Sequence, residues 1–129
     1  MILAIAVDMI ELRLLIHTSR QHTRPVIAAF RALARWARAE PGCLSARLFL
    51  ADGDPRCVCY VETWESEEAV RKMIRSPHFS RLAALMELGT EAPECQFRLI
   101  AETRGLEFPA SVRSGLNEPR DPPPKTTTP

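Results

Sequence analysis

The chain has almost no net charge to offer a partner. Its 17 basic residues stand against 16 acidic ones, for a formal charge of +1 over 129 residues. No global field draws in DNA, RNA or anionic lipid. Lysine is nearly absent too: all but Lys72 and Lys125 of the cations are arginine, so any basic patch must be local. Long apolar runs are missing. The longest opening stretch, MILAIAV, is seven residues and stops at Asp8, too short to span a bilayer. It carries no basic leader or small-residue cleavage site, which argues against a secretory signal and for a cytoplasmic protein. Metal-binding spacings are missing as well. His17, His22 and His78 form no HxxxH or HExxH pair, and Cys57 and Cys59 lie one residue closer than a CxxC. No metal ligand set is expected, and Cys43, Cys57, Cys59 and Cys95 read as small apolar residues in a reducing compartment.

What is present is enough for one core. Apolar residues make up 46% and charged residues 26%, the balance of a single globular domain. Residues 1–8 read as an extension. Residues 114–129, with Pro119, Pro122, Pro123, Pro124 and Pro129, cannot bury apolar surface and read as a disordered tail. The folded unit is expected over residues 9–113.

Within it, period-2 and period-3.6 patterns alternate. Residues 10–17 place Ile10, Leu12, Leu14 and Ile16 on one side of a strand. Thr23-Arg24-Pro25 opens a helix whose inner stripe is Val26, Ile27, Phe30, Leu33, Ala34 and Ala37, ended by Pro41-Gly42. Residues 43–50 and 56–64 form strands around the turn Asp52-Gly53-Asp54-Pro55. Ser66 caps a second helix with Glu67 and Glu68 in its first turn, and Ser76-Pro77 restarts it as a second piece. Residues 95–104 give the last strand. The order βαββαβ predicts an α+β, ferredoxin-like fold: a four-stranded antiparallel sheet with two helices on one face.

One strand parity reads as nearly all apolar and is assigned to the face under the helices, with Cys57, Cys59, Val61 and Thr63 in the third strand. The other carries Glu11, Arg13, Arg47, Glu62, Arg98 and Glu102 among Leu15, Phe49, Val58, Tyr60, Trp64 and Ile100. Six charges do not suit a core, and so many large apolar groups do not suit water. The arrangement predicts a homodimer closed by apposed sheet faces, with Arg47 and Arg98 either pairing with Glu62 or Glu102 or binding a carboxylate.

Three segments, Glu40-Pro41-Gly42-Cys43-Leu44, Glu62-Thr63-Trp64-Glu65-Ser66-Glu67-Glu68-Ala69 and Ser76-Pro77-His78-Phe79, occur in an order and spacing that resemble the antibiotic biosynthesis monooxygenase (ABM) family over residues 10 to about 106. The resemblance implies a dimeric α+β barrel with an apolar pocket between sheet and helices. It also implies oxidation of a small quinol or polycyclic phenol by O2 without metal, flavin or haem. Trp64 and His78 match recurrent family positions. Tyr60 stands where polyketide oxygenases have Asn, and Val70 where they have Tyr. Met73 replaces the His of many quinol oxygenases. Met73 and Ala83 replace the Trp and His of the haem-degrading branch, which argues against haem degradation. The candidate proton handlers are His78 and Tyr60, with Trp64 stacking on substrate or plugging the sheet. Phe79, Met73 and Val70 are candidate pocket-lining residues, and His17 a candidate at its mouth. The other readings are a homodimeric, non-catalytic binding domain for a small apolar metabolite and a dimerisation module with no ligand.

Overall fold

The computed structural model describes residues 9–115; the expectations for residues 1–8 and for the proline-rich tail beyond 115 lie outside them. The elements run β1 Met9–His17, α1 Thr23–Arg38, β2 Cys43–Ala51, β3 Asp54–Trp64, α2 Glu67–Ile74, α3 Pro77–Met86, β4 Glu94–Ile100 and α4 Glu107–Ser114. The strands form one antiparallel sheet in the order β2-β3-β1-β4. This is the ferredoxin-like arrangement, with α1, α2 and α3 contributing core side chains over one face. Among the described residues no helix is long and apolar enough to cross a membrane.

Local chemistry sets the element ends. The Ser66 hydroxyl accepts from the Ala69 N–H at the start of α2, and Ser76 accepts from the His78 N–H at the start of α3, where Pro77 holds the first position. Gly42 turns the chain into β2 at φ +90°, and a Cβ there would sit 2.9 Å from that of Ala69. Thr23 is not the expected cap. It is the first residue of α1, its hydroxyl donates to the Ser19 carbonyl, and His22 occupies the cap position without a side-chain bond to the helix backbone.

The face of β3 corrects the sequence expectation. Cross-strand partners share a face, and Ile10 lies opposite Trp64, Leu12 opposite Glu62, Leu14 opposite Tyr60 and Ile16 opposite Val58. Val58, Tyr60, Glu62 and Trp64 therefore point under the helices, while Cys57, Cys59, Val61 and Thr63 belong to the open face. Glu62 reads as a solvent marker only when its burial with specific partners is unknown. A bulge at Cys43/Ser45 similarly turns Cys43 inward and leaves Leu44 exposed. The open face thus carries Glu11 and Glu94 with Arg13, Arg47 and Arg98, rather than three acids against three arginines. Arg98 pairs with Glu11 at 3.5 Å, and Glu102 pairs with Arg104 beyond the end of β4.

The last strand is also shorter than expected, ending at Ile100. The expectation includes no helix after it, yet residues 107–114 form α4. No residue of α4 is buried. A short segment without a buried stripe leaves little periodic signal to read.

Candidate functional site

Alternation along β3 puts residues 60, 62 and 64 on one line facing the helices. Three side chains of very different chemistry stand there, all buried: Tyr60 and Glu62 are 0% exposed and Trp64 is 2%. An isolated carboxylate at such a depth would cost several kcal/mol, on the order of the penalty of a buried unpaired ion. Here Glu62 is surrounded by donors. The Tyr60 hydroxyl donates to Oε2 at 2.5 Å and the Trp64 indole N–H donates to Oε1 at 3.0 Å.

The third partner comes from α3. Its restart at Ser76-Pro77 makes His78 the second helical residue, pointed back at the sheet. His78 is 1% exposed, and its Nε2 lies 2.5 Å from Glu62 Oε2. Taking Glu62 as the acceptor here, as it is for Tyr60 and Trp64, assigns the hydrogen of this contact to Nε2. The other ring nitrogen, Nδ1, is buried with no hydrogen-bond partner among the described residues. A hydrogen on Nδ1 would be a buried donor with nowhere to go, so the neutral tautomer with an open lone pair at Nδ1 fits the surroundings. A base whose far nitrogen is fixed by a carboxylate is the orienting pair used in proton-transfer sites.

Aromatic rings hold the cluster laterally. Trp36, in the last turn of α1, stacks on the His78 ring at 4.4 Å and 19°. Phe30 stacks on Tyr60 at 4.8 Å and 24°. The field of the site is visible in its neighbours. Burial, then the charge of Glu62 and the hydrogen bond to it, push the Tyr60 hydroxyl far above its usual range, so it stays a neutral donor. Burial, with Glu62 second, pushes the Cys43 thiol up to about 11. Cys43 is thus an inert thiol opposite Trp64.

Two spaces adjoin the cluster. A small cavity of about 60 Å³ lies against Trp36, Trp64, Met73 and Ser76, large enough for water or O2 and too small for an aromatic ring. A wider apolar groove of about 390 Å³ runs between α1 and α3, lined by Ala29, Ala32, Leu33, Trp36, Ala84 and Leu85. Trp36 lines both.

The matching family model covers residues 9–85, from β1 to the end of α3, and is described as antibiotic biosynthesis monooxygenase (ABM). The chain belongs to this family. The ABM fold extends to solved structures of low identity. A conserved protein of unknown function from Bacteroides thetaiotaomicron superposes with a TM-score of 0.66 at 20% identity, over 74% of this chain and 100% of its own. A conserved protein from Methanosarcina mazei gives 0.66 at 18%, over 74% and 95%. A structure named antibiotic biosynthesis monooxygenase gives 0.62 at 19%, over 74% and 99%. No curated protein matches the chain in sequence.

Of the residues singled out by sequence, the ABM fold brings Tyr60, Trp64 and His78 together. Tyr60 lies under the helices and not on the open face, His78 is buried, and Trp64 donates a hydrogen bond instead of only stacking. Met73 is buried in the core and lines the small cavity. Val70 is buried and lines a groove of about 480 Å³ between α2 and β4. Phe79 is partly buried, its ring 6.4 Å from that of Phe97. His17 lies at the far end of β1, opposite Cys57, and does not join the cluster. Two members were missed. Glu62 was hidden by its charge, and Trp36 by its place among the alanines and arginines of α1. The signal for Glu62 was present: two hydrogen-bonding aromatics at i−2 and i+2 share its face whatever the face is.

Proposed function

We propose that the protein is a cofactor-independent monooxygenase that oxidises a small quinol or polycyclic phenol with O2. The observation that carries this reading is the open Nδ1 of His78, a buried acceptor held in place by Glu62. In this reading the substrate ring lies in the α1–α3 groove against Trp36, and rotation of the Trp36 indole uncovers His78. The phenolic proton moves to Nδ1. The resulting ring carbanion forms a C–O bond to O2, and the peroxide takes the proton back from His78. O–O cleavage then releases water as the carbon loses its remaining hydrogen and becomes a carbonyl. One oxygen atom enters the product, the other leaves as water, and the substrate supplies all the electrons, so the scheme uses no flavin, haem or metal. Tyr60 and Trp64 are positioning residues that fix Glu62. Met73 walls the small space where O2 waits.

The same reading has the chain act as a homodimer in the cytosol. The exposed Phe49, together with Leu15, Arg13 and Arg98, lines a shallow depression of about 430 Å³ on the open sheet face, which suits a second copy. Four free cysteines suit a reducing compartment.

A second reading, a non-catalytic binding domain for an apolar metabolite, draws support from the closure of the cluster around His78. Oxygen uptake separates the two. With anthrones and reduced naphthoquinols in metal-free buffer, the monooxygenase consumes one O2 per substrate and places one atom of labelled dioxygen in the product. Binding of these compounds without uptake above the buffer rate would leave the binding-domain reading in its place.

A further inference from the structure

Away from the Glu62 cluster, the opposite end of the sheet gathers a different set of groups. His17 ends β1 and faces Cys57 directly across the ladder. Asp54 comes from the start of β3, after the turn at Gly53. One ligand atom from each of His17, Asp54 and Cys57 lies within 4.8 Å of the others. A fourth group approaches from the loop before β4: Glu91 Oε1 is 3.6 Å from His17 Nε2. Burial first, and then the charge of Asp54, push the Cys57 thiol up.

The backbone that carries these side chains is tied together. The Thr18 N–H donates to the Arg56 carbonyl at 2.8 Å, and the Thr18 hydroxyl to the same carbonyl at 3.0 Å. The His17 carbonyl accepts from the Thr90 N–H at 2.8 Å and from its hydroxyl at 3.1 Å. Three segments distant in sequence are thus pinned on either side of the cluster, the support that orients ligands before an ion arrives. In a tetrahedral zinc site with bonds of 2.0–2.3 Å, neighbouring ligand atoms are roughly 3.3–3.8 Å apart, so a spacing of up to 4.8 Å has to close by at most about 1–1.5 Å.

We propose that His17, Asp54 and Cys57, with Glu91 as fourth ligand, form a binding site for one divalent cation of the zinc class. Sulfur, imidazole and carboxylate together select a borderline-soft ion over magnesium or calcium, which prefer oxygen alone. The sequence expectation of no metal site follows from spacing within short motifs. Here the ligands come from three segments that only the fold unites.

The test uses the full reduced chain, stripped with chelator and titrated with Co(II). One equivalent develops a thiolate-to-cobalt charge-transfer band, which Zn(II) removes by competition. Cys57→Ala and His17→Ala each abolish the band, whereas Cys59→Ala and Cys95→Ala retain it. Asp54→Asn weakens Co(II) binding roughly tenfold or more, as loss of a metal-site carboxylate does. His17 is half-buried, so its variant keeps the fold even if the Cys57 variant does not, and circular dichroism verifies this. Absence of a band at one equivalent of Co(II), or its survival in folded His17→Ala, would overturn the proposal.

Discussion

At position 62 a carboxylate stands opposite Leu12, in the middle of a face otherwise filled by Ile10, Leu14, Tyr60 and Trp64. Its tolerance there depends on three donors, each of which depends on it in turn. Glu62→Ala leaves the Tyr60 hydroxyl, the Trp64 N–H and His78 Nε2 without an acceptor. We expect it to destabilise the fold by about 3–5 kcal/mol, because three buried donors lose their acceptor at about 1–3 kcal/mol each with partial relaxation. Glu62→Gln keeps the volume but sets an NH2 group against one of the donors, and should cost about 1–3 kcal/mol. Urea unfolding measures both; a cost below 1 kcal/mol for the alanine variant would mean the network is not tightly held. The same burial makes stability sensitive to alkali. Cys43 and Tyr60 are acids whose neutral forms are favoured in the fold, with ordinary values of 9.0 and 10.0. The unfolded chain ionises them first, so above these values the native state binds more protons than the unfolded one. Their contribution is complete below pH 9 and falls as pH rises through about 11, where Cys43 ionises in the folded state. Denaturant titrations across that window should show the decline, and Cys43→Ala with Tyr60→Phe should flatten it.

Among elements, the short helix α3 does most to define the site. Ser76 both caps the helix and fixes the backbone from which His78 reaches the sheet. Ser76→Ala should cost about 1 kcal/mol from the lost cap and, under the proposed activity, lower kcat more than it raises KM, because the base is displaced and the groove is not. Equal effects on both constants would separate α3 from the chemistry. At the Trp64 end of β3, beside Glu65, Gly42→Ala combines φ +90° with a Cβ contact of 2.9 Å to Ala69. We expect a cost of about 1–3 kcal/mol, read from the urea midpoint. These elements were legible in the sequence because their signals are local: Ser66 and Ser76-Pro77 for the helix starts, strict alternation for β1, Asp52-Gly53 for the turn. The face of β3 was not. Both parities of residues 57–64 contain apolar groups, and which one turns inward depends on pairing with β1 and on the partners that Glu62 finds. Likewise α4 lacked a buried stripe, and His17, Asp54, Cys57 and Glu91 meet only through tertiary contacts.

At the scale of the whole molecule, the described residues leave the sheet with one face under helices and one open. Phe49, 48% exposed, sits on the bare face with Leu15 and Val61 among paired and unpaired charges. If that face joins two copies, Phe49→Glu should convert a dimer to a monomer in sedimentation velocity without loss of helix content; an unchanged sedimentation coefficient would place the interface elsewhere. The monooxygenase reading itself rests on one ring nitrogen, His78 Nδ1, buried without a partner among the described residues and assigned as the acceptor. NMR of the protein labelled at its imidazole nitrogens observes this directly, without knowledge of the substrate. We expect His78 Nε2 to bear a hydrogen in slow exchange and Nδ1 to resonate as an unprotonated acceptor. A hydrogen on Nδ1 would contradict it.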